Sequence, residues 1–342
     1  MRWPWVTDLA CAGCLFMAGC TLSLGDSRQS LVVESAEHLA GSAAPSSDTA
    51  QGHVERGVAL GTQGHLDRAI EEFQNAIRLE PEHVDAHINL GLAFEKKCEW
   101  DRAITEYERA IKAQPHHAGA HGGLGVALHR KGDLKGAIAE YRMALRLDPN
   151  SLNAHYNLAL ALHANGDLPA AIAEYDTVIR LTPQYAGAHY HLGLALWQQG
   201  DIDGTIMEMG IAVGMEPYVA DSHYYLGLAL EAKHDLDGAL AEYESVTKLT
   251  PDDPSAYLRL GHVLEQKGQV SDAIGVYERA RRIAPGAAEV HAALGLALKA
   301  TGEYATARVE LEEALRLFPK EPAHQGRSQQ LQQALQAIAL QR

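Results

Sequence analysis

The stretch Pro149-Asn-Ser-Leu-Asn-Ala-His-Tyr-Asn-Leu-Ala-Leu-Ala-Leu-His-Ala-Asn-Gly166-Asp-Leu-Pro-Ala-Ala-Ile-Ala-Glu-Tyr175-Asp-Thr-Val-Ile-Arg-Leu-Thr-Pro183 decides the fold of this 342-residue chain. Two apolar segments flank Gly166-Asp167, and Pro169 follows at a place where the first turn of a helix tolerates proline. The order reads as helix, tight turn, helix, and it recurs in both directions. Pro81, Pro115, Pro149, Pro183, Pro217, Pro251, Pro285 and Pro319 are spaced by 34 residues with no insertion or deletion. With each proline at position 32 of its unit, position 8 is Gly57, Gly91, Gly125, Ala159, Gly193, Gly227, Gly261 and Gly295. Position 20 is Ala69, Ala103, Ala137, Ala171, Thr205, Ala239, Ala273 and Ala307, and a ring recurs at position 24 in Phe73, Tyr107, Tyr141, Tyr175, Tyr243 and Tyr277. Small groups at positions 8 and 20 let the first helix of each unit (helix A) lie close to the second (helix B).

A 34-residue period with two helices per unit resembles the tetratricopeptide repeat. The resemblance covers residues 50–321 and implies an all-α chain, a right-handed α-solenoid of eight helix hairpins. Residues 322–342 follow, with Leu331, Leu335 and Ile338 on one face, and are expected to form a C-terminal helix capping the last repeat. Gly132, Gly166, Gly200, Gly268 and Gly302 stand where helix A must end in a left-handed turn, while Cys98 and His234 depart from that pattern. Asp67, Asp101, Asp203, Asp237 and Ser271 fall at the start of helix B, and Arg78, Lys112, Arg146, Arg180, Lys248, Arg282 and Arg316 lie in its last turn, matching the helix dipole. One repeat departs further. Its helix B carries Gly204, Gly210 and Gly214 and has Met209 at the ring position, which reads as drift, as a hinge, or as an adaptable surface of Met207, Met209 and Met215. Gly119, Gly122, Gly123 and Gly125 are expected to loosen helix A of the third repeat.

Composition agrees with close-packed helices. The chain is 46% apolar but only 6% aromatic, with 4 Phe and 4 Trp, which disfavours an all-β fold. A net charge of −15, from 44 acidic and 29 basic residues, repels nucleic acid and favours a basic partner. The N-terminus reads as processing sequence. Arg2 precedes an apolar run from Leu9 to Gly19 that is too short to span a bilayer, and Met17-Ala-Gly-Cys20 resembles a lipobox. Residues 1–19 are expected to be a lipoprotein-type signal peptide, with Cys20 as the lipidated residue. Residues 20–49 would then form a flexible tether of roughly 30 Å reach. That resemblance to bacterial tetratricopeptide lipoproteins implies a cell-envelope location, an outer-membrane lipoprotein facing the periplasm. Cys98 is left as the one expected free thiol of the mature chain.

Catalytic motifs are missing from the sequence: there is no phosphate loop, no Gly-x-Ser-x-Gly elbow and no His-Glu-x-x-His helix. No enzyme activity, metal or cofactor is expected. Histidines recur at position 4 in His53, His87, His121, His155, His189, His223 and His291, and His83/His87 and His117/His121 have i,i+4 spacing. They read as packing residues between helices, with burial and the positive helix end expected to lower their pKa values. The family's concave groove is lined by positions 2, 5, 9, 12 and 13 of helix A. Carried over, this places Tyr156, Leu160, His163, Tyr190, Leu194, Trp197, Tyr224, Leu228 and Glu231 in a partner-binding groove. The implied function is a non-enzymatic protein–protein interaction scaffold of the envelope that holds a peptide or protein segment. The alternative is a carbohydrate-associated role in exopolysaccharide or glycosylation machinery.

Overall fold

The computed structural model describes residues 48–318 and 324–340. The signal-peptide and lipobox reading, Cys20 and nearly all of the tether lie outside the described residues. Seventeen helices follow one another among those described: α1 (Ala50–Thr62), α2 (Leu66–Leu79), α3 (Val84–Lys96), α4 (Trp100–Ala113), α5 (Ala118–Lys131), α6 (Leu134–Leu147), α7 (Leu152–Ala164), α8 (Leu168–Leu181), α9 (Ala186–Gln199), α10 (Ile202–Met215), α11 (Ala220–Ala232), α12 (Leu236–Leu249), α13 (Pro254–Gln266), α14 (Val270–Ile283), α15 (Ala288–Ala300), α16 (Tyr304–Leu317) and α17 (Gln325–Ala339). They form the consecutive hairpins of an α-solenoid, and the chain divides into two compact units, Met1–Ala188 and His189–Arg342.

In seven of the eight hairpins the side chain at position 24, a ring in five of them, seats on the bare Cα of a glycine at position 8. In the first unit, a Cβ added to Gly91 or Gly125 would lie 3.0 or 2.6 Å from the ring of Tyr107 or Tyr141. In the second, the same addition at Gly193 or Gly227 would meet Met209 at 3.0 Å or Tyr243 at 2.8 Å. The position-20 residue, seven times Ala and once Thr205, is 0% exposed in all eight hairpins. Such burial of aromatic area is the main stabilising term, at roughly 25 cal/mol per Å² of apolar surface removed from water.

The turns follow a division of labour that the spacing concealed. Asp133, Asp167, Asp201 and Asp235 cap helix B, each accepting the backbone N–H three residues on at 3.0–3.4 Å. Asp67, Asp101, Asp203 and Asp237 stand in the first turn of helix B, as expected, and also receive the ammonium of Lys97, Lys131, Lys233 and Lys267 from the following repeat. Helix A ends in left-handed backbone at Gly64, Gly132, Gly166, Gly200, Gly268 and Gly302, and Cys98 (φ 57°) and His234 (φ 61°) take the same conformation despite their side chains. Cys98 is disulfide-bonded in the full chain, whose other cysteines are Cys11, Cys14 and Cys20; the free-thiol expectation concerns the mature chain, from which residues 1–19 are removed.

Two glycine-bearing helices show further packing. Gly123 and Gly125 of α5 have a packing role as well: they admit the rings of Tyr107 and Tyr141. Met209 is fully buried as a ring substitute, so it belongs to the core and not to a surface of methionines. At the C-terminal end α17 packs on α16 and α15, burying Leu331, Ala334 and Ile338, with Leu335 half-buried.

The position-4 histidines are ties and not fillers. Nδ1 of His53, His87, His121, His155, His189, His223 and His291 lies 2.6–2.8 Å from the carboxylate of Glu72, Glu106, Glu140, Glu174, Glu208, Glu242 and Glu310, always 19 residues later on helix B. Nε2 of His87, His121, His155, His223 and His291 lies 2.9–3.0 Å from the carbonyl of the proline six residues earlier. Both partners accept hydrogen bonds, and a neutral imidazole has one N–H. Both contacts are therefore satisfied only when the pair holds one extra proton. His87 shows the consequence. Burial pulls its pKa down, but the Glu106 hydrogen bond, the Pro81 carbonyl and the Glu106 charge together raise it despite opposition from Arg109. The expected lowering is thus reversed at this residue.

The sign of the pH effect reverses with it. A histidine whose folded pKa exceeds the unfolded value of about 6.5 stabilises fully below that pH and loses its contribution as pH rises through the folded value. The thermal midpoint should therefore fall as pH increases from about 6 to about 8.5. The double substitution His87→Tyr with Glu106→Val, which copies the Tyr257/Val276 pair of the seventh repeat, should make that fall shallower. Parallel profiles for the two proteins would contradict the assignment.

Candidate functional site

The helix A face carries the candidate groove residues because position 5 follows the buried position 4 on the next 100° of helix, and positions 9 and 12 return to the same side. All nine are half-buried. They are divided between the two units, three in the first and six in the second.

In the first unit Tyr156 stands edge-on to Tyr175 (6.3 Å, 64°) and to Tyr185 (5.0 Å, 81°). His163 meets Tyr175 in the same way at 6.3 Å. Leu160 lies between them on α7 in sequence. This set also packs against the start of the next repeat, where a Cβ at Gly187 on α9 would come 3.2 Å from the Tyr156 hydroxyl.

The second unit gathers more. Tyr190 on α9 meets Tyr225 at 6.4 Å, and Tyr225 meets Tyr224 at 5.7 Å with the ring planes 89° apart. Tyr224 continues to the buried Tyr243 at 6.0 Å. Burial, then the nearby Asp221 carboxylate, pushes the Tyr190 phenol well above its ordinary range, so it stays a neutral hydrogen-bonding group. Tyr225 is shifted the same way by burial, Tyr224 and Asp221. Arg259 on α13 sits beside this cluster. Burial opposes its charge, but Tyr224, Tyr243 and Glu231 hold it, and the net shift is upward. Leu194, Trp197 and Leu228 complete the half-buried set.

Glu231 has a second task. Its carboxylate accepts the Tyr243 hydroxyl at 3.1 Å and the Gln266 amide at 2.8 Å. Glu95 and Glu265 accept the Tyr107 and Tyr277 hydroxyls at 3.0 and 2.7 Å in the same manner. Position 12 is therefore the polar anchor of the ring as well as a groove position. Further along, burial with Arg259 and Arg327 drives His262 down to about 4, leaving a neutral imidazole edge-on to Tyr277 at 5.8 Å.

Tyr225, Asp221 and Arg259 were not among the residues picked out from the sequence. Tyr225 and Arg259 occupy position 6, where the repeats carry Glu55, Asn89, Gly123, Asn157, His191, Tyr225, Arg259 and Ala293. That variability, beside a constant position 4, is the signal that could have found them. Metal binding fares differently. His83 and His117 cap α3 and α5, their Nδ1 atoms accepting from Ala86 and Ala120, and among the described residues no group of three His, Cys, Asp or Glu is placed to hold a metal ion. No helix of the described residues is long and apolar enough to cross a membrane. A pocket between α2, α3 and α4 in the first unit is lined by Leu90, Phe94, Arg102, Glu106 and Arg109. Its charges are engaged, Glu106 by His87 and Arg109, and the Arg102 guanidinium stacks 3.8 Å from the Phe94 ring centroid.

Family models described as tetratricopeptide repeat match residues 98–152, 140–173, 209–254, 220–288 and 264–337, and one described as TPR repeat matches 57–97 and 161–200. No curated protein matches the chain. Among solved structures it is similar to PilF of Pseudomonas aeruginosa (17% identity, TM-score 0.55, covering 64% of this chain and 97% of that one). It is also similar to YrrB, a TPR protein with an unusual peptide-binding site (23%, 0.50, 55% and 96%). A tetratricopeptide repeat protein from Parabacteroides merdae matches at 16% identity and TM-score 0.51, covering 75% and 98%. At these identities the likeness is one of fold.

The buried position-12 carboxylates offer a direct check on the site's electrostatics. Burial raises Glu95 to about 7, against the weaker downward pull of the Tyr107 hydrogen bond and Arg130. A raised folded pKa means stability that is present below the unfolded value of about 4.5 and is lost as pH climbs through about 7. Glu95→Gln keeps an oxygen to accept the Tyr107 hydroxyl and has no charge to bury. Relative to wild type, its thermal midpoint should gain between about pH 5.5 and about pH 8.5. A difference that stays constant with pH would contradict the burial of an ionisable Glu95.

Proposed function

The chain belongs to the tetratricopeptide repeat family, whose members are scaffolds for protein–protein interaction, and we propose that its second unit captures an extended segment of a partner protein on the helix A face. The observation that carries this reading is the edge-to-face run Tyr190, Tyr225 and Tyr224. Half-buried tyrosines already held by ring contacts lose little rotamer freedom on binding and offer both apolar area and a hydroxyl. Burial keeps the Tyr190 and Tyr225 phenols neutral, so they serve as hydrogen-bond donors to peptide carbonyls. Asp221 at the edge favours a segment with a basic residue, in keeping with the net charge of −15. Leu194, Trp197 and Leu228 supply the apolar floor.

The envelope assignment is part of the same proposal. Cys20, in the lipobox-like Met17-Ala-Gly-Cys20, anchors the repeats to the outer membrane on a tether, facing the periplasm. Cys20→Ala should then move the protein from the detergent phase to the aqueous phase on partitioning; a variant that stays with the detergent would remove the anchor from the account.

Binding is tested with Tyr190→Ala and Tyr224→Ala. Buried aromatic anchors are commonly worth about 2 kcal/mol each, without strict additivity, so the double variant should bind an envelope peptide captured by the wild type at least about 30-fold more weakly. Helicity should be unchanged by circular dichroism. Retained affinity in a folded double variant would place the active surface elsewhere. Loss of binding to an immobilised polysaccharide, with peptide binding intact, would favour the carbohydrate reading.

A further inference from the structure

Four arginines among the described residues are half-buried: Arg56, Arg259, Arg281 and Arg327. Three of them are ion-paired, Arg56 with Glu72, Arg281 with Glu310 and Arg327 with Glu289. Arg259 is the exception. It stands at position 6, on α13, where burial opposes its charge, and no carboxylate among the described residues forms an ion pair with its guanidinium. Glu231, whose charge it feels, is already committed, accepting the Tyr243 hydroxyl at 3.1 Å and the Gln266 amide at 2.8 Å. The hydrogen-bonding neighbour of Arg259 is the Tyr224 phenol. A cation taken partly out of water is costly unless an anion meets it, and uncompensated charges of this kind gather at binding sites.

The opposite charge stands one repeat away. Asp221, at position 2 on α11, is exposed and makes no ion pair among the described residues. Tyr190 and Tyr225 lie within reach of its charge, Tyr225 adjoins Tyr224, and Tyr224 adjoins Arg259, so the ring run has a negative end and a positive end.

We infer that the captured segment places an acidic side chain on Arg259 and a basic one on Asp221, which rests on the peptide capture proposed above and adds an order of charges to it. Spacing follows from the helices. Neighbouring repeats are offset by roughly the 10 Å width of a helix, and Arg259 lies four positions further along its helix than Asp221, about 6 Å at 1.5 Å per residue. The two charges are thus roughly 12 Å apart, which an extended chain at about 3.3 Å per residue spans in about three to four residues. The planar fork of Arg259 suits a carboxylate, which it meets with two parallel hydrogen bonds. Partial desolvation strengthens that pair over one on an open surface. A polyuronate is the poorer occupant, because it brings no cation for Asp221 and is repelled by the net charge of −15.

The test is selection by the full chain from a random display library of peptides about twelve residues long. Enriched sequences should carry Lys or Arg and, about three to four residues away on one constant side, Asp or Glu. An enriched peptide is then synthesised with both ends blocked, so that side chains are its only carboxylates. Changing its acidic residue to the amide should weaken binding to wild type about tenfold or more, and binding to Arg259→Gln by less than about twofold. Arg259→Lys should recover part of the discrimination, and both variants should keep wild-type helicity. An acidic residue that counts equally for wild type and Arg259→Gln overturns the charge order and leaves the tyrosine groove standing. A wild type that enriches no more than Tyr190→Ala with Tyr224→Ala removes the groove itself, and the charge order with it. Displacement of the peptide by polygalacturonate, lost in Arg259→Gln, would assign Arg259 to a sugar acid and overturn the peptide assignment.

Discussion

The close approach of helix A to helix B at one point, the position-8 Cα under the position-24 side chain, is the constraint on which the hairpins depend. Where the side chain is Tyr107, Tyr141, Tyr243 or Tyr277, a glycine lies beneath it, and a methyl group added there would fall inside ordinary contact distance. Tyr175 over Ala159 shows that the limit is a methyl and not an absolute rule. Met209 and Leu311 fill the same place over Gly193 and Gly295. The contact fixes the depth at which the ring is buried, and so the place of its hydroxyl. Glu95, Glu231 and Glu265 then meet that hydroxyl from position 12. One steric contact thus sets a polar one, and the polar one sets the wall of the candidate groove.

The histidine and glutamate ties act at the other end of each hairpin. They join helix A to helix B through the carboxylate and, at His87, His121, His155, His223 and His291, to the preceding turn through a proline carbonyl. The pairing was visible within the sequence in hindsight. Seven repeats have His at position 4 and Glu at position 23, and the one with Tyr257 has Val276 in place of the glutamate. Reading the histidines one column at a time hid this, because a column shows recurrence and only a comparison of two columns shows partnership. The error in the sign of the His87 shift has the same source: helix dipole and burial were weighed without the partner that outweighs them.

Other features were legible in advance for simple reasons. The helix order and the residues at positions 8, 20 and 24 follow from steric rules that act over a few residues. The caps at Asp133, Asp167, Asp201 and Asp235 are not legible from the sequence alone, because aspartates in two nearby columns lie at the helix start and only geometry separates a cap from an ion pair. Tyr225 and Arg259 were missed because they sit at a position that varies, and variation in a repeat array marks residues released from the common packing task. Constant columns build the solenoid; departures from them, Tyr225 and Arg259 among them, mark the candidate site.

The account rests most directly on the claim that glycine is held at position 8 by contact with the side chain at position 24. Gly261 and Gly275 lie in one hairpin, the first under the Tyr277 ring and the second with no atom near its missing Cβ. Thermal unfolding of Gly261→Ala and Gly275→Ala makes the comparison with a single chemical change. Overpacking costs about 1–3 kcal/mol and relief of an interior glycine gains about 1 kcal/mol, so the first variant should melt below wild type and the second above it. Two variants that both melt above wild type would show that the close approach does not govern the fold.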